Sequence, residues 1–220
     1  MAVDLEQESP PRPRMRGRLH QAAFLVSVPA GLALVAAAPT TMARVAALVF
    51  ASSLIALYGT SAAYHRLPWN PDAKRWMKRL DHSLIFMLIA GTYTPFALLV
   101  LPWPWSVVIL SVAGGGAAAG IVLKMFRIDG LRAVSGALYL TLGWLAIVAL
   151  PQIIRGLSGP SVGLLFAGGI LYTAGAVVLA RRRPDPRPSV FGYHEIWHSM
   201  VIGGSMCHYA LILLIVLGSR

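Results

Sequence analysis

The chain has 220 residues, of which 57% are hydrophobic and only 12% are charged, and its mean hydropathy is +0.68. A soluble domain carries about twice that share of charge, so the composition excludes an ordinary soluble domain. The net charge of +11 could indicate nucleic-acid binding, but the basic residues lie between apolar segments, where they indicate anionic lipid instead.

Seven apolar segments follow a polar stretch at residues 1–18 that is rich in Pro and Arg, and we predict this stretch to be a disordered basic tail. Each segment is close to the roughly 20 residues that a spanning helix needs. The segments cover residues 19–38, 44–64, 81–101, 105–123, 133–150, 161–180 and 194–217. The sequence therefore predicts an all-α, seven-transmembrane helical bundle over residues 19–217.

The first apolar segment has features of a signal peptide as well as of a membrane helix. Basic residues precede it, and Ala36-Ala37-Ala38 fits a loose cleavage pattern. Because the segment is longer than the apolar part of a usual signal peptide, we predict an uncleaved helix. Cleavage would leave the orientation of the other six helices unchanged.

Basic residues are distributed unequally between the two ends of the predicted helices. The tail and the second, fourth and sixth loops hold 16 of them, whereas the opposite ends hold three: Arg44, Arg155 and Arg220. By the positive-inside rule, this asymmetry predicts a cytoplasmic N-terminus and a C-terminus outside.

Polar side chains in or beside the apolar segments are informative because their burial costs free energy. Ser61 and His65 lie at the end of the second segment, Asp81 at the start of the third, and His194 and His198 at the start of the seventh. The predicted topology puts these helix ends on the cytoplasmic side. Residues about 130 positions apart are therefore expected to meet near the inner membrane boundary.

His194 and His198 are four residues apart, which places their imidazoles on one face of a helix. With His65 as a third ligand, they would form a catalytic type of Zn²⁺ site, in which three protein nitrogens leave one position for water. Asp81 could orient that water and accept its proton, and Ser61 could hydrogen-bond to the water or to Asp81.

Two other interpretations of these residues are open. Asp81 could cap the third helix, since a carboxylate is favourable at a helix N-terminus. The segment His194-Glu195-Ile196-Trp197-His198 also fits the H-E-x-x-H motif of metalloproteases, in which Glu195 would be the general base. We rank Glu195 below Asp81 because the rest of the chain is unlike a soluble metalloprotease.

The other polar and small residues favour structural roles. We interpret His20 and His82 as interfacial polar residues and His208 as a partner of a neighbouring helix, because helix rise puts it roughly 15 Å beyond His198. The spacing of Gly116 and Gly120 indicates close contact between helices. Residues 151–160 are expected to form the fifth loop.

Three blocks of sequence carry a resemblance to a known family. They are Ser61-Ala-Ala-Tyr-His65-Arg66, then Leu80-Asp81-His82-Ser83 leading to Ala90-Gly-Thr-Tyr-Thr-Pro95-Phe96, and finally Phe191-Gly-Tyr-His194-Glu195-Ile-Trp-His198. Spaced in this way in a seven-helix frame, they resemble the haemolysin III family. That family is related to the progestin and adipoQ receptors, which include the adiponectin receptors, and more distantly to the alkaline ceramidases. The resemblance covers about residues 15–217.

The resemblance implies a multi-pass protein of a bacterial-type plasma membrane with a zinc ion near the cytoplasmic face. The implied ligands are His65, His194 and His198, with Asp81 linked through water and Ser61 nearby. It also implies a hydrolase that acts on membrane lipid, on an amide such as that of ceramide.

Three functions are therefore open. The first is a zinc-dependent intramembrane lipid hydrolase. The second is a pore-forming cytolysin, which the permanently apolar spans disfavour. The third is a receptor or membrane-homeostasis protein in which zinc is structural, although three protein ligands are more typical of catalysis.

Overall fold

The computed structural model describes residues 13–129 and 131–219, except for the side chain of residue 132. Over this part of the chain the regular structure is helical, apart from one isolated bridge between Arg187 and Phe191. Seven helical segments are long and apolar enough to cross a membrane. The all-α, seven-span prediction is confirmed.

The helices follow one another through short connections. They are α1 (Arg18–Ala37), α2 (Thr41–Arg66), α3 (Pro71–Leu99), α4 (Trp105–Phe126), α5 (Arg132–Gly143), α6 (Leu150–Gly156), α7 (Gly159–Arg181) and α8 (Tyr193–Gly218). A 3-10 turn, Leu145–Ala149, joins α5 to α6, and together they make the fifth span, Ala133–Gly156. Most of these bounds lie within about three residues of the predicted segments.

Helix α3 begins ten residues before the predicted start at Asp81. The side chain of Asn70 caps it by accepting from the amide of Ala73, and Pro71 occupies the first turn. The expected start was wrong because half of these ten residues are charged, so they do not extend the apolar run. Asp81 therefore lies inside α3 and does not cap it.

The fifth span is not one continuous α-helix, and the expected loop at residues 151–160 is wrong because α6 continues to Gly156. The α-helical pattern stops at Gly143 and resumes at Leu150. The hydroxyl of Tyr93 on α3 donates to the carbonyl of Gly143 at 2.9 Å and accepts from the amide of Ala146 at 2.9 Å. A polar side chain therefore satisfies backbone groups that lipid could not.

The apolar core lies between α1, α2, α3 and α8. Its largest buried side chains include Phe50 on α2, Phe96 on α3, and Leu211 and Ile212 on α8. Helix α2 is the most enclosed of the spans, with 56% of an apolar 18-residue stretch buried in the protein, against 17% for the fifth span and for α7. The core therefore fixes α2 and α8 relative to each other.

Close contact between helices occurs at the predicted pair of glycines on α4. A Cβ atom at Gly120 would lie 2.3 Å from the ring of Phe86 on α3, and one at Gly116 would lie 2.5 Å from Leu142 on α5. A side chain at either position would have to displace its neighbour, which agrees with the close helix contact predicted from the spacing of the two glycines.

One end of the bundle gathers the starts of α1, α3 and α8 and the end of α2, and we call it the histidine end. Of the predicted tail, residues 1–12 lie outside the described residues. Residues 13–17 form a turn that leads into α1.

Candidate metal centre

Three histidines meet at the histidine end. His65 lies in the last turn of α2, and His194 and His198 lie in the first two turns of α8. Each offers a ligand atom, and these atoms all lie within 4.8 Å of one another. The Nε2 atoms of His65 and His194 are 3.4 Å apart. The structure therefore brings together the three histidines that the sequence selected.

The chemistry of this donor set fits a metal ion. His198 is buried, and its Nε2 atom has no hydrogen-bond partner among the described residues. A buried nitrogen without a partner costs about 1–3 kcal/mol, a cost that coordination to a cation removes. Imidazole nitrogens suit several transition metals, zinc among them. The three histidines can hold a metal ion, and their geometry alone does not select which one.

Ser61 and Asp81 lie beside this group rather than within it. Ser61 is one turn before His65 on α2, is buried, and makes a side-chain hydrogen bond with Asp81 of α3. Asp81 is 8% exposed, and its carboxylate is not one of the ligand atoms within 4.8 Å. Asp81 therefore contacts α2 through Ser61 and is not a member of the candidate ligand group.

Glu195 has both of its carboxylate oxygens occupied. Its Oε1 accepts from Nε of Arg16 at 2.5 Å, and its Oε2 accepts from the backbone amide of Gly192 at 2.9 Å. The side chain is 1% exposed. Glu195 is engaged in an ion pair and in capping α8, which agrees with its lower rank as a base.

His20 is a residue of this site that sequence reasoning missed. The expectation of an interfacial polar residue is wrong, because His20 is 3% exposed. Its ring stacks on that of His198, with centroids 3.8 Å apart and planes inclined by 10°, and it meets the ring of Tyr58 at 5.1 Å. The sequence held a signal for this position, because the topology that brings the end of α2 and the start of α8 together also brings the first turn of α1, with His20, to the same end.

The two remaining histidines of interest lie outside the group. His82 is partly buried, and its Nδ1 lies 2.8 Å from the carbonyl oxygen of Lys78. His208 lies farther along α8, where its Nε2 is 3.3 Å from the carbonyl oxygen of Leu165 on α7. The predicted contact of His208 with a neighbouring helix is confirmed.

Comparison with known proteins identifies relatives over most of the chain. A family model described as "Haemolysin-III related" matches residues 9–209. The chain is 37% identical over 201 residues to "Hemolysin-3" of Bacillus cereus, which covers 90% of this chain and 89% of that protein. It is 36% identical over 165 residues to "Hemolysin-3 homolog" of Bacillus subtilis (strain 168), covering 75% and 74% respectively.

A more distant similarity extends to animals. The chain is 27% identical over 177 residues to "Adiponectin receptor protein" of Drosophila melanogaster, which covers 73% of this chain and 40% of that protein. The chain is therefore similar to proteins of bacteria and of an animal.

Proposed function

Because this chain belongs to the haemolysin-III-related family, a family of integral membrane proteins with relatives in bacterial plasma membranes, we propose that it is a zinc-dependent hydrolase of membrane lipid. The bond it would cleave is an amide such as that of ceramide, at the cytoplasmic side. One observation carries the proposal: three imidazoles from two helices that are far apart in the sequence lie with their ligand atoms within 4.8 Å of one another. A site with three protein ligands keeps a coordination position open, as catalytic zinc sites do.

The chemistry divides between the ion and the neighbouring carboxylate. When bound, zinc supplies Lewis acidity, which polarises a carbonyl and makes a coordinated water more acidic. Asp81, oriented by its hydrogen bond with Ser61, takes the proton of the attacking water. The water oxygen bonds to the carbonyl carbon, the C–N bond breaks, and the amine leaves with the proton that Asp81 returns.

A basic cavity beside the histidines supports a lipid substrate. It has a volume of about 350 Å³ and is lined by Tyr64, Lys74, Arg75 and Lys78, together with Pro71 and Asp129. Tyr64 precedes His65 and its ring lies 4.6 Å from the imidazole. Lysines and arginines at a span end attract anionic headgroups, so the polar part of a lipid would be held next to the site.

The test combines metal analysis with lipid chemistry on detergent-purified protein. Wild type is expected to carry about one zinc per chain and to release fatty acid from a ceramide-like amide, measured by mass spectrometry of lipid products. His65→Ala, His194→Ala and His198→Ala are each expected to lose both the zinc and the turnover. His208→Ala, which removes a buried histidine of α8 outside the group, is the matched control and should keep both.

Two outcomes would count against the proposal. Zinc-loaded wild type that cleaves no amide in a broad lipid screen would leave a receptor or homeostasis role with structural zinc. His194→Ala protein that loses its thermal stability along with its zinc would support the same structural role.

The names of the two bacterial relatives, both called hemolysins, favour testing a second function, membrane lysis. Leakage of dye from liposomes on addition of purified protein, unaffected by His194→Ala and His198→Ala, would support a cytolysin. The long apolar helices argue against it, because a soluble toxin needs segments that change from polar to apolar surroundings.

A further inference from the structure

The segment that precedes α1 is attached to the segment that precedes α8. The backbone amide of Arg14 donates to the carbonyl of Ser189 at 3.0 Å, and that of Met15 donates to Val190 at 3.1 Å. The next residue, Arg16, makes the ion pair with Glu195. These three successive residues therefore hold the chain on both sides of His194.

The same segment packs against the end of α2. Gly17 has a φ of +77°, in the left-handed region, and a Cβ atom there would lie 2.6 Å from Cβ of His65 and 3.1 Å from Cγ of Arg66. Glycine is needed at this position both for the backbone conformation and for the close approach. Residues Pro13–Gly17 thus contact both elements that carry the candidate ligands.

Helix ends are the least rigid parts of helices, because their terminal backbone groups lack partners within the helix. His65 is the second-last residue of α2, and His194 is the second residue of α8. A metal site needs its ligands held to within about 0.5 Å, so two helix ends require an external support. Residues 13–17 supply such a support, since they are hydrogen-bonded to the segment before α8 and packed against the last turn of α2.

We propose that Pro13–Gly17 is a positioning clamp, in which Arg16 and Gly17 fix His194 and His65 relative to each other and thereby set the affinity and geometry of the metal centre. The clamp rests on the metal site of the proposed function and not on the hydrolysis. Arg16 acts through Glu195, and Gly17 acts through its close approach to the side chains of His65 and Arg66, so neither residue is a ligand.

Two variants of different kinds test the clamp. Arg16→Met with Glu195→Gln removes the ion pair without leaving an unpaired buried charge and without changing the net charge beside the site. Gly17→Ala introduces a methyl group against His65. Arg18→Met is the matched control, since Arg18 directly follows this segment as the first residue of α1, is exposed, and makes no ion pair among the described residues.

The measurements are the dissociation constant of Zn²⁺, by competition with a chelator, and the visible absorption of the Co²⁺-loaded protein, which reports coordination geometry. Circular dichroism of the metal-free proteins checks their helical fold. Both clamp variants are expected to bind Zn²⁺ at least tenfold more weakly and to show an altered Co²⁺ spectrum, whereas Arg18→Met should match wild type.

One result overturns the clamp alone: folded clamp variants with the affinity and Co²⁺ spectrum of Arg18→Met. Such a result from either variant is enough to overturn the clamp, because the two variants disturb it independently: one removes a charge pair and the other adds a steric contact. Wild type that binds neither Zn²⁺ nor Co²⁺ would overturn the clamp and the proposed function together. Wild type that binds zinc without cleaving lipid overturns the hydrolase and leaves the clamp in place.

Discussion

Asp81 is a carboxylate well inside a membrane helix, where ionisable side chains are rare and usually functional. Its immediate support is Ser61, whose hydroxyl hydrogen-bonds with it. His82 adds a second polar neighbour, since its Nδ1 lies 3.6 Å from Oδ2 of Asp81.

Replacement of Asp81 by Asn should separate chemistry from metal binding. The amide keeps the size of the side chain but cannot accept the proton, so turnover is expected to fall about 100-fold or more while zinc content is unchanged. Ser61→Ala should reduce turnover less, by about tenfold, because it only releases the carboxylate from its orientation. Lipid-product mass spectrometry and metal analysis measure the two effects.

Asp72→Asn is the control for this pair, because Asp72 lies in the first turn of the same helix with its side chain 82% exposed. It should leave both quantities as in wild type. Equal turnover per bound zinc in wild type and Asp81→Asn would show that Asp81 is not the base.

His20 combines complete burial with two ring nitrogens that have no hydrogen-bond partner among the described residues. If its contribution is the stacked ring, then His20→Phe should keep zinc affinity and stability near those of wild type, because the phenyl ring removes two unpaired polar atoms. His20→Ala should lower stability by about 3 kcal/mol, since it leaves a cavity against His198 and Tyr58.

Thermal unfolding and zinc titration distinguish the His20 variants. Loss of zinc by His20→Phe at unchanged stability would contradict the stacking role and assign a function to the nitrogens.

The residues of the site differ in how far the sequence could predict them. His65, His194 and His198 follow from counting spans, because each stands at a helix end whose side of the membrane the count determines. The pairing of Arg16 with Glu195 joins residues 179 positions apart, and no local pattern selects one arginine among the several of the tail. Such a pair depends on the folded path of the chain.

At the scale of elements, the fifth span depends on another helix for its backbone hydrogen bonds. Removing the hydroxyl of Tyr93 should leave the carbonyl of Gly143 and the amide of Ala146 without that partner. Tyr93→Phe is therefore expected to lower the free energy of unfolding by about 1–3 kcal/mol and to speed hydrogen exchange at Ala146.

Tyr193→Phe provides the comparison, since the hydroxyl of Tyr193 makes no hydrogen bond with any described residue. Thermal unfolding in one detergent should separate the two variants. If Tyr93→Phe unfolds at the same temperature as wild type, the 3-10 turn does not depend on the Tyr93 hydroxyl for its stability.

The helices themselves were predictable to different degrees. Apolar runs determine the spans, because the thickness of the bilayer sets their length. Hydropathy does not reveal the first ten residues of α3, half of which are charged, nor the change of helix type at Leu145–Ala149. Asn70-Pro71-Asp72 is nevertheless a recognisable helix start. Local capping chemistry, rather than hydropathy, is what would have moved the start of α3.

At the scale of the whole molecule, the unequal distribution of basic residues predicts that the histidine end faces the cytoplasm. Cysteine labelling in a Cys207→Ser background tests this with two exposed serines at opposite ends, Ser158 and Ser189. In right-side-out vesicles, a membrane-impermeant maleimide should label Ser158→Cys and should reach Ser189→Cys only after lysis. The reverse pattern would place the candidate site outside.

The ligand set draws on both halves of the polypeptide, with His65 in the second span and His194 and His198 in the last. On the ribosome, six spans are complete before the last two histidines are made, so a nascent chain in the bilayer carries one imidazole of the three. A truncated product that stops ahead of α8 therefore lacks two of the three candidate ligands, and under the proposed function it should neither retain zinc nor cleave lipid. If the three histidines bind an ion as proposed, they can first do so when synthesis of α8 is complete.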